Sequence, residues 1–251
     1  MDIIQTFYDN LASEYDKLFL DWKGACKEQG EFLDSLFCNN GFDKSASVLD
    51  CACGIGTQSI GLASLGYKVV ASDASYNAIM QAKARAESEN LDIYIRQADF
   101  RLLEKVFTEV FDIVIAMDNP LPHMLTESDL EKAVASITGR VKDGGIFVTS
   151  IRDYDKLLED KPPYSPPYIH NTEKGKRVCF QTWDWSGNHY KLVQYIIEDE
   201  KDVFASRFEC EYRAFTRAEL SRVLEKSGFS EIVWLMPEES SFYQPVVIAK
   251  K

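Results

Sequence analysis

One stretch of this chain leaves few folds open. The apolar run Val48-Leu49 ends at Asp50, passes through Cys51-Ala52-Cys53, and turns at Gly54 and Gly56 before helix-forming residues resume at Thr57. Glycines at such a turn bring backbone close to a ligand, because they carry no Cβ and tolerate positive φ. A second apolar run follows one βαβ step later and ends at Ser72-Asp73-Ala74. An acid at that position in a doubly wound sheet can accept both hydrogens of a ribose diol. The pair of features predicts an α/β fold that holds a nucleotide-like ligand.

The spacing narrows the ligand. A dinucleotide fingerprint reads G-x-G-x-x-G, but position 59 is Ser, and no phosphate-cradling lysine follows. The C-x-C-G-x-G form with Thr57-Gln58-Ser59 resembles the first motif of class I S-adenosylmethionine-dependent methyltransferases. An oxidoreductase with a nicotinamide cofactor is disfavoured by the missing third glycine.

Composition bounds the rest. With 251 residues there is room for one large α/β domain or one with a sizeable insertion. A net charge of −12 argues against a nucleic-acid partner, which would favour a positive face. No apolar run is long enough to span a membrane, and Met1-Asp2-Ile3-Ile4-Gln5 lacks a basic signal-peptide start, so a cytoplasmic location is expected. Cys51 and Cys53 are too close for a C-x-x-C zinc grip and read as packing; no metal is expected.

Residues 3–37 read as helical, with Ile4, Phe7, Leu11, Tyr15 and Leu18 at helical spacing. Strands and helices then alternate: strands at 47–51, 68–72, 92–97, 111–117 and 146–150, helices at 57–65, 75–89 and 127–140. This predicts a Rossmann-like, mostly parallel sheet with helices on both faces. The proline-rich segment 161–167 reads as loop, followed by three β-like runs at 177–185, 190–198 and 205–214. These form an expected antiparallel meander inserted into the parallel domain. Thr216-Arg217-Ala218-Glu219 is a capping box that reopens the main fold, and 232–236 with 244–249 makes a final antiparallel pair. The expected organisation is a helical cover over 1–40, a core domain of 41–160 with 215–251, and a β-rich substrate cover over 161–214.

Ligands in open α/β sheets sit beyond the carboxyl ends of the strands. That rule selects residues 51–56, Asp73, Asp99 with Phe100, residues 118–123, and residues 152–154.

Further runs carry a narrower likeness. Residues 7–16, Asp21-Trp22, Asp118-Asn119-Pro120-Leu121-Pro122-His123, Ser150-Ile151-Arg152-Asp153-Tyr154-Asp155, Trp183-Asp184-Trp185 and Phe242-Tyr243-Gln244-Pro245 resemble the glycine/sarcosine N-methyltransferases. The resemblance spans nearly the whole chain. It implies S-adenosylmethionine as cofactor and a small amino acid or amine as acceptor, glycine or sarcosine first. It implies that Tyr15 and Trp22 close over the cofactor, that Ala52, Gly54 and Gly56 face its methionine part, and that Asp73 and Ala74 meet the ribose. Asp99 and Phe100 would take the adenine, and Met117 and Asp118 would line the cleft. Arg152 would anchor the acceptor's carboxylate, and Tyr195 and Tyr212 would close the acceptor pocket. Chemistry adds Asn119 and His123, since an amine that attacks must be neutral and hydrogen-bond acceptors such as the Asn119 carbonyl or His123 can aim its remaining hydrogens.

Two departures stand out: Glu28 where similar enzymes often carry arginine, and Pro120 where they carry an alanine-like residue. Plainer readings stay open for several residues. Asn119 also fits an ordinary turn, His123 a partner for loop backbone, and Arg152 a surface partner of Asp153 or Asp155. Tyr15 and Trp22 fit a helix core, and Trp183 and Trp185 fit sheet packing. Asn119-Pro120 also matches the start of the N-P-P-Y element of nucleic-acid amino-methyltransferases, but Leu121 and Pro122 do not continue it. A non-catalytic cofactor-binding protein on the same scaffold is the remaining alternative.

Overall fold

The computed structural model describes residues 3–199 and 201–251; Met1 and Asp2 of the expected helical cover and Glu200 of the insertion lie outside the described residues. The chain begins with α1 (Ile3–Leu11) and α2 (Trp22–Asn39), joined through a short 3-10 turn at Tyr15–Leu18. The alternating core follows: β1 (Ser47–Asp50), α3 (Thr57–Ser64), β2 (Lys68–Asp73), α4 (Tyr76–Ser88), β3 (Tyr94–Gln97), β4 (Phe111–Ala116), α5 (Glu127–Thr138) and β5 (Val141–Ser150). After α6 (Tyr154–Asp160) come β6 (Tyr168–Asn171), β7 (Lys176–Ser186), β8 (His189–Asp199) and β9 (Val203–Arg213). The chain closes with α7 (Arg217–Lys226), β10 (Glu231–Leu235), α8 (Pro237–Ser240) and β11 (Val246–Lys250).

The main sheet has seven strands in the order β10-β11-β5-β4-β1-β2-β3. β1 through β5 pair in parallel, and β11 runs against both β5 and β10. The fold expected from the βα alternation is therefore the fold observed. Its central strands are buried on both faces, as continuous apolar runs such as Ile113-Val114-Ile115-Ala116 require.

The N-terminal helix expected over 3–37 is broken in two. Asp21 caps a new helix, its side chain accepting from Gly24 N–H at 3.0 Å, so α2 starts afresh and changes direction. α2 then packs almost backbone to backbone on α3. A Cβ on Gly61 would lie 2.1 Å from the Cys26 carbonyl oxygen, and one on Gly30 would lie 2.7 Å from the Gly61 carbonyl carbon. This contact brings Trp22 and Gln29 to the start of α3. α1 is docked elsewhere: the Asp9 carboxylate accepts from Ser75 Oγ at 2.6 Å and from Asn77 N–H at 3.0 Å, at the head of α4.

The insertion forms a second, antiparallel sheet in the order β6-β7-β8-β9. It has four strands rather than the three expected. β6 is a four-residue edge strand directly behind the proline run, and that run itself lies along β7, where Pro163 offers its carbonyl to Trp183 N–H at 2.8 Å. One face of this sheet carries Cys179, Gln181, Trp183, Tyr190, Leu192, Gln194 and Tyr212, and lies toward α1 and the main domain. Lys17 ties the 3-10 turn to that sheet, through Glu198 at 2.6 Å and through its own carbonyl, which accepts from Arg177 at 3.2 Å.

Candidate functional site

Two cavities meet beyond the carboxyl ends of the parallel strands. The first, about 430 Å³, is walled by the turn after β1, the ends of β2 and β4, and the segment after β3. The second, about 600 Å³, lies between α1, the residues after β4 and β5, and the inner face of the second sheet. Tyr8, Tyr15 and Asp118 stand in the walls of both.

The first cavity is built by the glycine turn. Gly54 (φ +52) and Gly56 (φ +95) occupy the left-handed region, and no atom lies within 4 Å of where a Gly54 Cβ would sit, so backbone is bared there. Gly56 caps α3 and packs near Ile60 and Ala82; it shapes the turn without lining the cavity. Asp73 stands at the end of β2, one oxygen accepting from Gly54 N–H at 2.9 Å and the other from Ser75 N–H at 2.8 Å. Each oxygen keeps a second acceptor site. Burial raises the Asp73 carboxyl above its ordinary range, with those N–H donors pulling it back. Ala52, Ala74, Asp99, Phe100 and Met117 also line this space. Asp99 is already engaged by Arg101, with Nε–oxygen distances of 2.8 and 3.0 Å.

Asp50, the motif acid, does not reach the cavity. It is buried, accepts from Ser59 Oγ at 2.7 Å, and its carboxyl is pushed up to about 7 by burial. Cys51 and Cys53 are buried, and burial raises both thiols, so they remain protonated packing groups.

Where the cavities meet, Asp118 and Asn119 hold left-handed backbone at φ +67 and +70, a conformation that Asp and Asn tolerate best among side-chain-bearing residues. The Asp118 carboxylate accepts from Gln58 Nε2 at 2.8 Å and from the Tyr243 hydroxyl, both neutral donors. Gln58 is itself steered by Gln29 at 2.6 Å. Burial raises the Asp118 carboxyl, and its two donors oppose the rise. Asn119 Oδ1 accepts from the Arg152 backbone N–H at 3.1 Å, fixing the chain where it leaves β5. The residue expected to aim an amine through this oxygen therefore holds Arg152 in place.

Arg152 dominates the second cavity. Its guanidinium donates to the Tyr190 hydroxyl at 2.9 Å and to Gln181 Oε1 at 3.0 Å, and packs over Trp183 at 5.0 Å and Tyr212 at 5.5 Å. Among the described residues it meets no carboxylate; Asp153 and Asp155 both pair with Arg217 instead. That excludes the surface-pair reading of Arg152. His123 bonds the Tyr8 hydroxyl through Nε2 at 2.8 Å and packs on Tyr212 at 4.2 Å between ring centres; it lines the first cavity rather than the second.

Two expected site residues lie elsewhere. Trp22 donates its indole N–H to Thr57 Oγ1 at 3.0 Å and is stacked by Arg85, which secures the start of α3 and leaves it outside the first cavity. Tyr195 stacks on Phe180 on the face of β8 opposite Tyr190, because neighbouring strand residues alternate faces. Tyr190, with Tyr154 bonded to its hydroxyl at 2.8 Å, occupies the place beside Arg152. Tyr8, Gln58, Tyr154, Gln181, Tyr190 and Tyr243 are not among the expected site residues, although Tyr8, Gln58, Tyr154 and Tyr243 lie within the resembling runs at 7–16, 57–59, 150–155 and 242–245. Glu28 is exposed on α2, away from both cavities, whereas Pro120 is buried in the first cavity's wall.

Residues 48–145 match the family described as "Methyltransferase domain". This stretch of the chain is a methyltransferase domain. A glycine/sarcosine N-methyltransferase of Parasynechococcus marenigrum (strain WH8102) is 34% identical to it over 155 residues, covering 62% of this chain and 54% of that protein. The glycine/sarcosine N-methyltransferase of Halorhodospira halochloris is 25% identical over 228 residues, covering 91% and 80%. The chain thus spans about half the length of the first of these relatives. The fold of the methyltransferase domain and its insertion matches the crystal structure of an S-adenosylmethionine-dependent methyltransferase from Clostridium acetobutylicum ATCC 824. The TM-score is 0.75 at 18% identity, with 97% of this chain and 98% of that one covered.

Proposed function

We propose that this protein is an S-adenosylmethionine-dependent N-methyltransferase whose acceptor is an amine bearing a carboxylate, the class that includes the glycine and sarcosine of its relatives' names. The observation that carries this reading is the pairing of two cavities: a glycine-turn cradle with Asp73, and beside it a cavity holding the uncompensated charge of Arg152.

The first cavity fits the cofactor. Asp73 retains acceptor capacity for a ribose diol, the bared backbone at Gly54 can meet a polar tail, and Phe100 offers a ring face for a base. Bound S-adenosylmethionine supplies a methyl group on a sulfonium. The chain's own part is orientation and exclusion of water. Arg152, always charged and planar, takes a carboxylate in two parallel hydrogen bonds. Asp118 faces the same space and offers a negative group to the amine, which must shed its proton to expose a lone pair. Tyr8 and Tyr15 sit at the junction and close it to solvent, a near-attack arrangement that lowers the barrier through geometry rather than new charge.

The test is conversion of S-adenosylmethionine to S-adenosylhomocysteine across a panel of amino acids, their carboxamides and simple amines. Turnover confined to carboxylate-bearing amines supports the reading. Equal turnover of acids and carboxamides removes Arg152 as the anchor.

A further inference from the structure

We infer that the acceptor is an α-amino acid with a large apolar or aromatic side chain rather than glycine itself; this rests on the reading above and names the substrate within it.

The second cavity is a trough along the inner face of the second sheet. Its wall includes Tyr212, level with Trp185, and Cys179, six residues further along β7. At about 3.3 Å per strand residue this is a run of roughly 20 Å. In glycine, nitrogen and carboxyl carbon lie only about 2.5 Å apart. The volume agrees: about 600 Å³ is the room of roughly twenty waters at about 30 Å³ each, and glycine has five non-hydrogen atoms.

Arg152 sits midway along this run, over Trp183, which leaves four strand residues, about 13 Å, between it and Cys179. It reaches Tyr190 on one side and Gln181 on the other, and Asp118 stands at the junction with the first cavity. Toward Cys179 the wall is Leu18, Phe19 and Tyr168, which offer no charge. Arg152 is the only cation among the described lining residues, enough for one carboxylate and too little for a phosphate or diphosphate tail. Tyr168, opposite Cys179, exposes about 60% of its surface, an aromatic face that an apolar side chain can cover. A zwitterion with an apolar body matches charge, length and lining together.

The experiment is competition among glycine, alanine, leucine, phenylalanine and the carboxamide of phenylalanine at saturating S-adenosylmethionine, with methylated products resolved by mass spectrometry. Burial of a leucine or phenylalanine side chain predicts kcat/KM for one of them roughly ten- to a hundredfold above glycine. Leu192→Trp, which fills the trough beside Gln181, is expected to lower the ratio of phenylalanine to glycine turnover about tenfold. Glycine methylated as fast as both larger acids, or an unchanged ratio in Leu192→Trp, overturns the inference while leaving the carboxylate anchor standing. Equal use of phenylalanine and its carboxamide overturns the anchor instead. No turnover of any α-amino acid overturns both.

Discussion

The Arg152 guanidinium donates to the Tyr190 hydroxyl at 2.9 Å, and Tyr190 in turn meets Tyr154 at 2.8 Å, so a half-buried charge is held in place by neutral groups rather than by a counter-ion. Such a charge is costly unless a ligand completes it. Arg152→Ala is therefore expected to lose roughly thirtyfold or more in acceptor kcat/KM, about 2–5 kcal/mol, with cofactor affinity nearly unchanged. Arg152→Lys should recover only part, because a point charge does not reproduce the planar fork. Tyr190→Phe should cost less, about 0.5–1.5 kcal/mol for one hydrogen bond, and Tyr195→Phe, on the opposite face, should be silent. Steady-state kinetics on the four variants decide it; a silent Tyr190→Phe beside a damaged Tyr195→Phe would reverse the assignment of the inner face.

Asp73 is the test of the cofactor cradle. Removing a charged hydrogen-bonding group costs about 1.5–3 kcal/mol, so Asp73→Ala should bind S-adenosylhomocysteine roughly ten- to a hundredfold more weakly in titration calorimetry. Wild-type affinity would take Asp73 out of the site.

Asp50 makes a separate prediction about pH. Its carboxyl is pushed up to about 7 in the folded protein, against about 3.9 in an unfolded chain. The folded state therefore binds more protons across that window, and stability from this group is full below about pH 4 and lost as pH rises toward 7. Asp50→Asn removes the titration, and its side-chain oxygen still accepts from Ser59. The gap in urea midpoint between wild type and variant should shift in the variant's favour from pH 5 to pH 7.5, by up to a few kcal/mol at about 1.4 kcal/mol per unit. Parallel pH curves would show that Asp50 is ionised throughout.

The second sheet is expected to act as a cover. It follows the strand that delivers Arg152, and Lys17 links it to the 3-10 turn bearing Tyr15. Hydrogen exchange over the described parts of 161–214 should slow when S-adenosylhomocysteine and an acceptor amino acid are both bound. Unaltered exchange at saturation would mean the sheet is a fixed wall.

Much of the parallel domain was legible in the chain itself. Alternation between apolar runs and helical spacing, the glycine turn after Asp50, the Ser75 cap and the Thr216-Glu219 capping box are local signals, and each element formed where they stood. Local signals also set the positions of Asp73, Asp118 and Arg152, because a strand's end is written in its own sequence. Which groups meet Arg152 was a different matter. Strand side chains alternate faces, so the choice between Tyr190 and Tyr195 depends on the register of β7 against β8, a pairing between distant segments. Tyr8 reaches His123 across 115 residues, and Arg217 takes Asp153 and Asp155 away from Arg152 across more than sixty. The sequence alone determined the scaffold and the chemical types at its strand ends. Only the tertiary structure decided which partners those groups meet, because burial and pairing belong to segments that share space without sharing sequence.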